Sequence, residues 1–200
     1  VTGGDGNPLS TGGQYGWNVQ IVEQTDTSAT LRIWNGLYTV NAASFAAGSP
    51  MAAGSLAAIY GDFLAPSVEA AQSMPLPTSL AGVSVTVNGV PAPLHFVSPG
   101  QINMQIPYET APGSATVVVN NNGIPAMTGR LQIAAAAPGI FLHGDHAVAW
   151  NHDTAQWNKD GPALAGGLIV VFGTGQGTVS PAIATGAAPG AELSLPAGSV

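Results

Sequence analysis

The run HGDHAVAWNHD, His143 to Asp153, gathers His143, His146 and His152 with Asp145 and Asp153, the nitrogen and carboxylate donors that hold zinc or calcium. Ligands converge only when an element aligns them. His143 and His146 are three apart with no helical pattern around them, so the stretch reads as a polar loop and no metal ligand is assigned. A second candidate is GTGQG, Gly173 to Gly177, which follows the apolar run Leu168 to Phe172 much as a phosphate-binding turn follows a strand. Such a turn needs a helix directly behind it, whose first amides hold the pyrophosphate. TVSPAIATGAAPG supplies none: it carries Pro181 and Pro189, with no acidic residue at the expected distance and no Gly-Lys-Ser/Thr nearby. The glycines therefore read as a turn between strands, and no cofactor is expected.

Covalent and acid–base chemistry find less support still. There is no cysteine and no Gly-X-Ser-X-Gly elbow. His95 lies within the strand-like PLHFV, where it reads as a sheet-face residue and not a base. Asp62, Glu69 and Glu109 are scattered, and nothing pairs any two as glycosidase carboxylates. No catalytic residue is assigned, and a non-enzymatic protein is expected. Trp150 and Trp157 flank the histidine run and leave two readings open: a platform on which a sugar ring stacks, or caps on a hydrophobic core.

Composition narrows the partners. Charged residues are 6% of the 200, with a net charge of −7, and Arg32, Arg130 and Lys159 are the only fixed cations. A phosphate backbone or an anionic membrane needs clustered Lys and Arg, so no nucleic-acid partner is expected and membrane-surface binding is disfavoured. The apolar stretches at Leu168 to Phe172 and Ile133 to Leu142 are too short or too broken by Pro and Gly to cross a bilayer. A surface this poor in charge must be hidden in contacts, covered by glycan, or built from Ser, Thr, Asn and Gly, and the first and last together are favoured. The richness in Gly, Ala, Thr, Asn and Pro with so few charges points to an extracellular or cell-surface location. The start at Val1, without a basic-then-apolar leader, fits a processed chain or a fragment of one.

The elements that would carry these residues are strands. Gly and Pro interrupt most windows, and apolar residues alternate. In GVSVTVNG, Val83, Val85 and Val87 point one way, and Asn88-Gly89 supplies a type I′ turn. GQINMQIP alternates likewise, with Ile102, Met104 and Ile106 inward and Pro107 ending the strand. SATVVVNNNGIPAMTGRLQIA reads as two strands joined through Asn122-Gly123. One helical turn or two is expected over PSVEAAQSM, Pro66 to Met74. Many short strands with turn residues between them indicate an all-β protein built of Ig-like β-sandwiches.

The chain also repeats itself. PMAAGSLAAIYG from Pro50 and PALAGGLIVVFG from Pro162 share a pattern at an offset of 112, aligning Gly54 with Gly166, Leu56 with Leu168 and Gly61 with Gly173. Beyond this, PLPTSLAGVSV has only a short echo in LSLPAGSV. The motifs VNAASF (from Val40), PLPTSLAGVSVTVNGVPAPLHFVSPGQINMQIPYETAPGSATVVV (from Pro75), AAAAPGIF (from Ala134) and GTGQGTVSPAIATGAAPG (from Gly173) resemble the Ig-like C-terminal domains abundant in large secreted proteins of acidobacteria. That resemblance covers roughly residues 40 to 190. It implies two tandem Ig-like sandwiches on an extracellular protein, with no assigned catalytic residues, and family members continue through strands of the second sandwich that have no counterpart here.

Residues 1–39 lie outside the resemblance and are read as a strand-forming arm. Residues 40–135 are read as a complete sandwich, and residues 136–200 as a partial one. The arm alternates Trp17, Val19 and Ile21, then Leu31 and Ile33. An incomplete sandwich offers unpaired edges to any strand that can fill them. Two outcomes stay open: the arm adds strands in cis, or it complements the partial sandwich of the next copy at an acceptor groove around Leu168, Val170 and Phe172. The second makes a head-to-tail homopolymer, a structural filament. The alternatives are a secreted adhesion or carbohydrate-binding module and a fragment of a larger cell-surface protein.

Overall fold

The computed structural model describes residues 17–24, 27–122 and 124–197, and for residues 17–24, 29–35 and 124–126 it describes the backbone alone. Among the described residues every regular element is a strand. The first two, β1 (Trp17–Gln24) and β2 (Ala29–Asn35), form an antiparallel hairpin that opposes Val19 to Ile33 and Ile21 to Leu31. Neither strand is hydrogen-bonded into another sheet among the described residues. The expectation that the arm is strand-forming falls on these two elements, while the side chains of Trp17, Val19, Ile21, Leu31 and Ile33 lie outside the described residues.

A sandwich follows, built from β3 (Tyr38–Asn41), β4 (Met51–Ala52), β5 (Leu56–Tyr60), β6 (Glu69–Ala70), β7 (Ser79–Leu80), β8 (Val83–Val87), β9 (Val90–Pro91), β10 (Leu94–Val97), β11 (Gln101–Gln105), β12 (Gly113–Asn121) and β13 (Ile124–Ala134). One sheet runs β3-β5-β11-β10-β6 and the other β4-β13-β12-β8-β7, with β9 paired to β8. Alternation decides which residues meet between the sheets. Val83, Val85 and Val87 on β8 and Val117 and Val119 on β12 face Ile59, Ile102 and Met104, all without solvent exposure. Burying a Val or Ile completely stabilises the fold by about 1.5–3 kcal/mol, so this layer supplies most of the driving force. On β10 the alternation breaks, with Leu94 and Val97 both buried, because a bulge between Leu94 and Phe96 inserts one residue.

Local chemistry sets the turns. Asn88 and Gly89 both adopt positive φ, 50° and 82°, as a type I′ turn requires, and the Asn88 side chain accepts a hydrogen bond from the Thr116 amide at 2.8 Å. The chain crosses from one sheet to the other at Gly54, whose φ is 78°. The expected helix over Pro66 to Met74 is not formed. Glu69 and Ala70 are instead the edge strand β6, paired with Val97 and Phe96, while the Glu69 carboxylate accepts from the Ala81 amide at 2.8 Å. The segment is almost wholly exposed and offers no apolar stripe to bury, so pairing with the β10 edge prevails over its weak helical preference.

The C-terminal region contains β14 (Gly139–Ile140), β15 (Leu142–His143), β16 (His146–Ala147), β17 (Ala149–Asn151), β18 (Gln156–Trp157), β19 (Ile169–Val171), β20 (Gly173–Thr174), β21 (Val179–Ser180) and β22 (Leu195–Pro196). It is anchored to the sandwich through polar side chains. Thr174 Oγ1 accepts from the Leu56 amide at 2.8 Å, Thr185 Oγ1 accepts from the Tyr108 amide at 2.9 Å and donates to the Glu109 carboxylate at 2.8 Å, and Gln105 Oε1 accepts from the Gly186 amide at 2.7 Å.

Candidate interaction site: an open sheet in the C-terminal region

The two segments that share a sequence pattern also share backbone geometry. Gly54 and Gly166 have φ of 78° and 79°. The turn before each strand is closed by the same bond, from the Ser55 amide to the Ala52 carbonyl at 3.1 Å and from the Gly167 amide to the Leu164 carbonyl at 2.9 Å. Upstream the correspondence holds at an offset of 110. β17 lies beside β19 as β3 lies beside β5, setting Asn151 opposite Ile169 as Asn41 is opposite Ala57. The His152 amide donates to the Leu168 carbonyl as the Ala42 amide donates to that of Leu56, both at 3.0 Å. Phe45 and Ala155, also 110 apart, take the same unusual φ, 51° and 49°.

Asn41 and Asn151 show how far the likeness reaches. Both are buried, and each donates its amide to a backbone carbonyl, Ala137 at 3.3 Å and Gly161 at 2.7 Å. Asn41 Oδ1 also accepts from the amides of Ala43 and Ser44, whereas Asn151 Oδ1 is buried without a hydrogen-bond partner. A buried carbonyl oxygen left unpaired is destabilising by about 1–3 kcal/mol, so the second asparagine holds its turn less firmly.

The neighbours of the two strands differ. β5 has β3 on one edge and β11 on the other, and its Ala57 and Ile59 are sealed in the core against the facing sheet. β19 has β17 on one edge and, among the described residues, no strand on the other. The Leu168 carbonyl and the Phe172 amide bond on the β17 side, so by strand alternation the main-chain groups of Ile169 and Val171 point out of the open edge. Their side chains share a face with Ala149 and Asn151. That face is covered over β17, where Ala149 is 3% and Asn151 1% exposed, and uncovered over β19, where Ile169 is 43% and Val171 50% exposed. Apolar side chains elsewhere in the region are uncovered too, since Ile140, Leu142, Leu164 and Leu195 are all exposed.

Leu168, Val170 and Phe172, the residues expected to line an acceptor groove, lie on the opposite face of β19 and are exposed. That face carries an aromatic row. Trp150 and Trp157 are cross-strand partners packed edge to face at 5.2 Å between ring centroids, and Trp157 meets Phe172 at 5.9 Å. Beside Trp157 is an open pocket of about 200 Å³, lined also by His143, Ala147, Val148, Ala149 and Lys159.

The histidine run is divided among several elements. His143 and His146 oppose each other on the β15–β16 hairpin, with Gly144 at φ 61° in its turn, whereas His152 pairs with Asp153 at 3.7 Å. Asp153 accepts from the Leu168 amide at 3.0 Å and so fixes the start of β19. Among the described residues no three His, Asp or Glu converge to hold a metal ion. His95 sits at the β10 bulge, where burial pushes its imidazole below the ordinary value, and Tyr108 is pushed up by the same cause. Glu69 and Glu109 are engaged in the amide and hydroxyl contacts given above.

The glycine loop has a structural explanation that the sequence did not show. Gly175 and Gly177 take φ of 96° and 83°, and the backbone of residues 135–137 runs directly over them. The Ala137 amide donates to the Gly175 carbonyl at 2.8 Å, and a Cβ on either glycine would collide with a carbonyl oxygen, of Ala137 or Ala135. The glycines allow two backbones to touch. Between this loop and Gln105 and Tyr108 is a cleft of about 600 Å³ in which, among the described residues, Glu192 is the one charged lining residue.

Residues 40–133, just under half of the chain, match the IPT/TIG domain family, whose fold is a non-catalytic Ig-like β-sandwich. No curated protein and no solved structure matches the chain. The family match covers the first sandwich and stops short of the open sheet.

Proposed function

We propose that the chain is a non-catalytic, extracellular structural subunit that joins copies of itself by β-strand complementation, head to tail, into a filament. In this reading the C-terminal region repeats the first strands of the Ig-like unit. The observation that carries it is the open edge of β19, since the equivalent edge of β5 is filled by β11 and Ile169 and Val171 remain about half exposed. A strand added there would satisfy the main-chain groups of Ile169 and Val171 and set apolar neighbours beside their side chains, the gain that drives strand addition. The β1–β2 hairpin is the donor, since it belongs to neither sheet of the sandwich among the described residues. The low charge fits a subunit whose surface is shared with neighbours, and the resemblance to secreted acidobacterial domains supports a place outside the cell. Negative-stain electron microscopy of the purified protein is expected to show fibres one subunit wide; monodisperse particles at every concentration would refute the reading.

The aromatic row supports a second reading, a carbohydrate-binding module. Trp157 is exposed beside a largely apolar pocket whose lining includes His143 and Lys159, a combination suited to stacking on a sugar face. Under it, glycan-array binding is present and is lost in Trp157→Ala; an array with no binder removes it.

A further inference from the structure

We infer that the pocket beside Trp157 takes a single uncharged sugar ring, stacked on Trp157 with its hydroxyls toward Lys159 and Asp160, and discriminates against acidic sugars; this rests on the carbohydrate-binding reading above. The pocket is built from one short stretch of chain, since its described lining residues all fall between His143 and Lys159. It is also independent of the open edge of β19, because β18, which carries Trp157, pairs with β17 on the edge away from β19. At about 200 Å³ it lies below the range of about 300–1,000 Å³ for sites that enclose drug-sized ligands, so one ring fills it. Ala147, Val148 and Ala149 beside the indole give it the apolar surface that the C–H face of a sugar seeks.

The Trp157 ring is set before a ligand arrives. Its backbone is pinned on both sides, as the Asn158 amide donates to the Ala149 carbonyl at 2.8 Å and the Asp160 amide donates to the Trp157 carbonyl at 2.9 Å. Its ring packs against Trp150 and Phe172, yet Trp157 stays 41% exposed, which leaves surface for a sugar. A ring already ordered loses little freedom on binding, so little of the stacking gain is offset. Charge then decides which sugar. Lys159 Nζ donates to the Asp160 carboxylate at 2.6 Å, and both side chains are nearly half exposed. The ammonium keeps two further donors and the carboxylate keeps acceptor capacity, so together they match adjacent hydroxyls, each of which both donates and accepts. The pair carries no net charge. A uronate carboxylate would have to compete with Asp160 for Lys159, on a chain whose net charge is −7, whereas a neutral sugar meets no such opposition.

The test is calorimetric titration of the intact chain with cellotriose, mannotriose, galactotriose and xylotriose, beside trigalacturonate and trimannuronate. At least one neutral trisaccharide is expected to bind, at least tenfold more tightly than either acidic one. The methyl glycoside of that sugar should bind within about threefold of the trisaccharide, since only one ring is enclosed. Trp157→Ala should abolish binding and Lys159→Met should weaken it at least tenfold; Lys159 is a surface side chain, so an unchanged melting curve for its variant separates lost contact from lost fold. Acidic trisaccharides that bind as well as the neutral ones would overturn the inference and leave carbohydrate binding standing. Neutral binding undiminished in both variants would overturn the site. Absence of binding by all six trisaccharides would overturn the inference and the carbohydrate reading together.

Discussion

Replacing Gly175 by Ala tests why the glycine loop exists, and its effect can be worked from the backbone. An L-residue at φ 96° is strained by about 1–2 kcal/mol. The new methyl also collides with the Ala137 carbonyl oxygen, and moving that strand away stretches the 2.8 Å bond from the Ala137 amide to Gly175, worth about 1 kcal/mol net. Against these, Ala reduces the entropy of the unfolded chain, which is stabilising by about 0.4–1 kcal/mol. That gain is common to Gly190→Ala, where φ lies outside the left-handed region and a new methyl would have no neighbour within 4 Å, so Gly175→Ala should be roughly 2–3 kcal/mol less stable than it. Gly144→Ala, with φ 61° and open space around it, isolates the conformational part and should fall between. Urea unfolding followed by tryptophan fluorescence measures all three, and at about 1–3 kcal/mol per molar the Gly175 midpoint lies about 0.7–3 M below that of Gly190→Ala. If Gly175→Ala instead unfolds within about 0.5 kcal/mol of Gly190→Ala, the close backbone approach is not what selects glycine there.

Asn41→Ala removes three hydrogen bonds and Asn151→Ala removes one together with an unpaired oxygen, so the first should lower stability by roughly 2–3 kcal/mol more than the second in the same urea assay; equal losses would contradict the difference between the two turns. Because burial lowers the His95 pKa, the unfolded chain takes up its proton first as pH falls below 6.5; stability is full above that value and declines below it, and His95→Gln should flatten the decline in pH-dependent melting curves. Tyr108, raised above 10.0, acts oppositely: stability is full below pH 10 and falls above it, and Tyr108→Phe should remove that fall.

Much of the sandwich was legible because strand alternation and burial are the same fact seen twice: Val83, Val85 and Val87, or Ile102, Met104 and Ile106, alternate in sequence and are all sealed in the core. The Asn88-Gly89 turn was legible because few residues tolerate positive φ. Glu69 was not, since its pairing depends on the β10 edge, which is distant in sequence. Around β19 the sequence located an apolar run but not its sidedness. Five consecutive apolar residues carry no period-2 signal, so whether Leu168, Val170 and Phe172 or Ile169 and Val171 share the face with buried Ala149 depended on the pairing with β17. The equivalence of Asn41 and Asn151 was hidden because the offset changes from 112 to 110 between the two strands of each pair.

The most direct test of complementation is sedimentation of the intact chain over a concentration series, beside Val171→Lys. Val171 is half exposed in the single chain, so lysine there should change folding stability by less than about 0.5 kcal/mol, yet in a completed sheet it would bury a charge with no partner. Complementation predicts concentration-dependent polymers for the intact chain and a folded monomer for Val171→Lys at concentrations at least tenfold higher. A monomeric intact chain, or a variant that polymerises as readily as the parent, would contradict it.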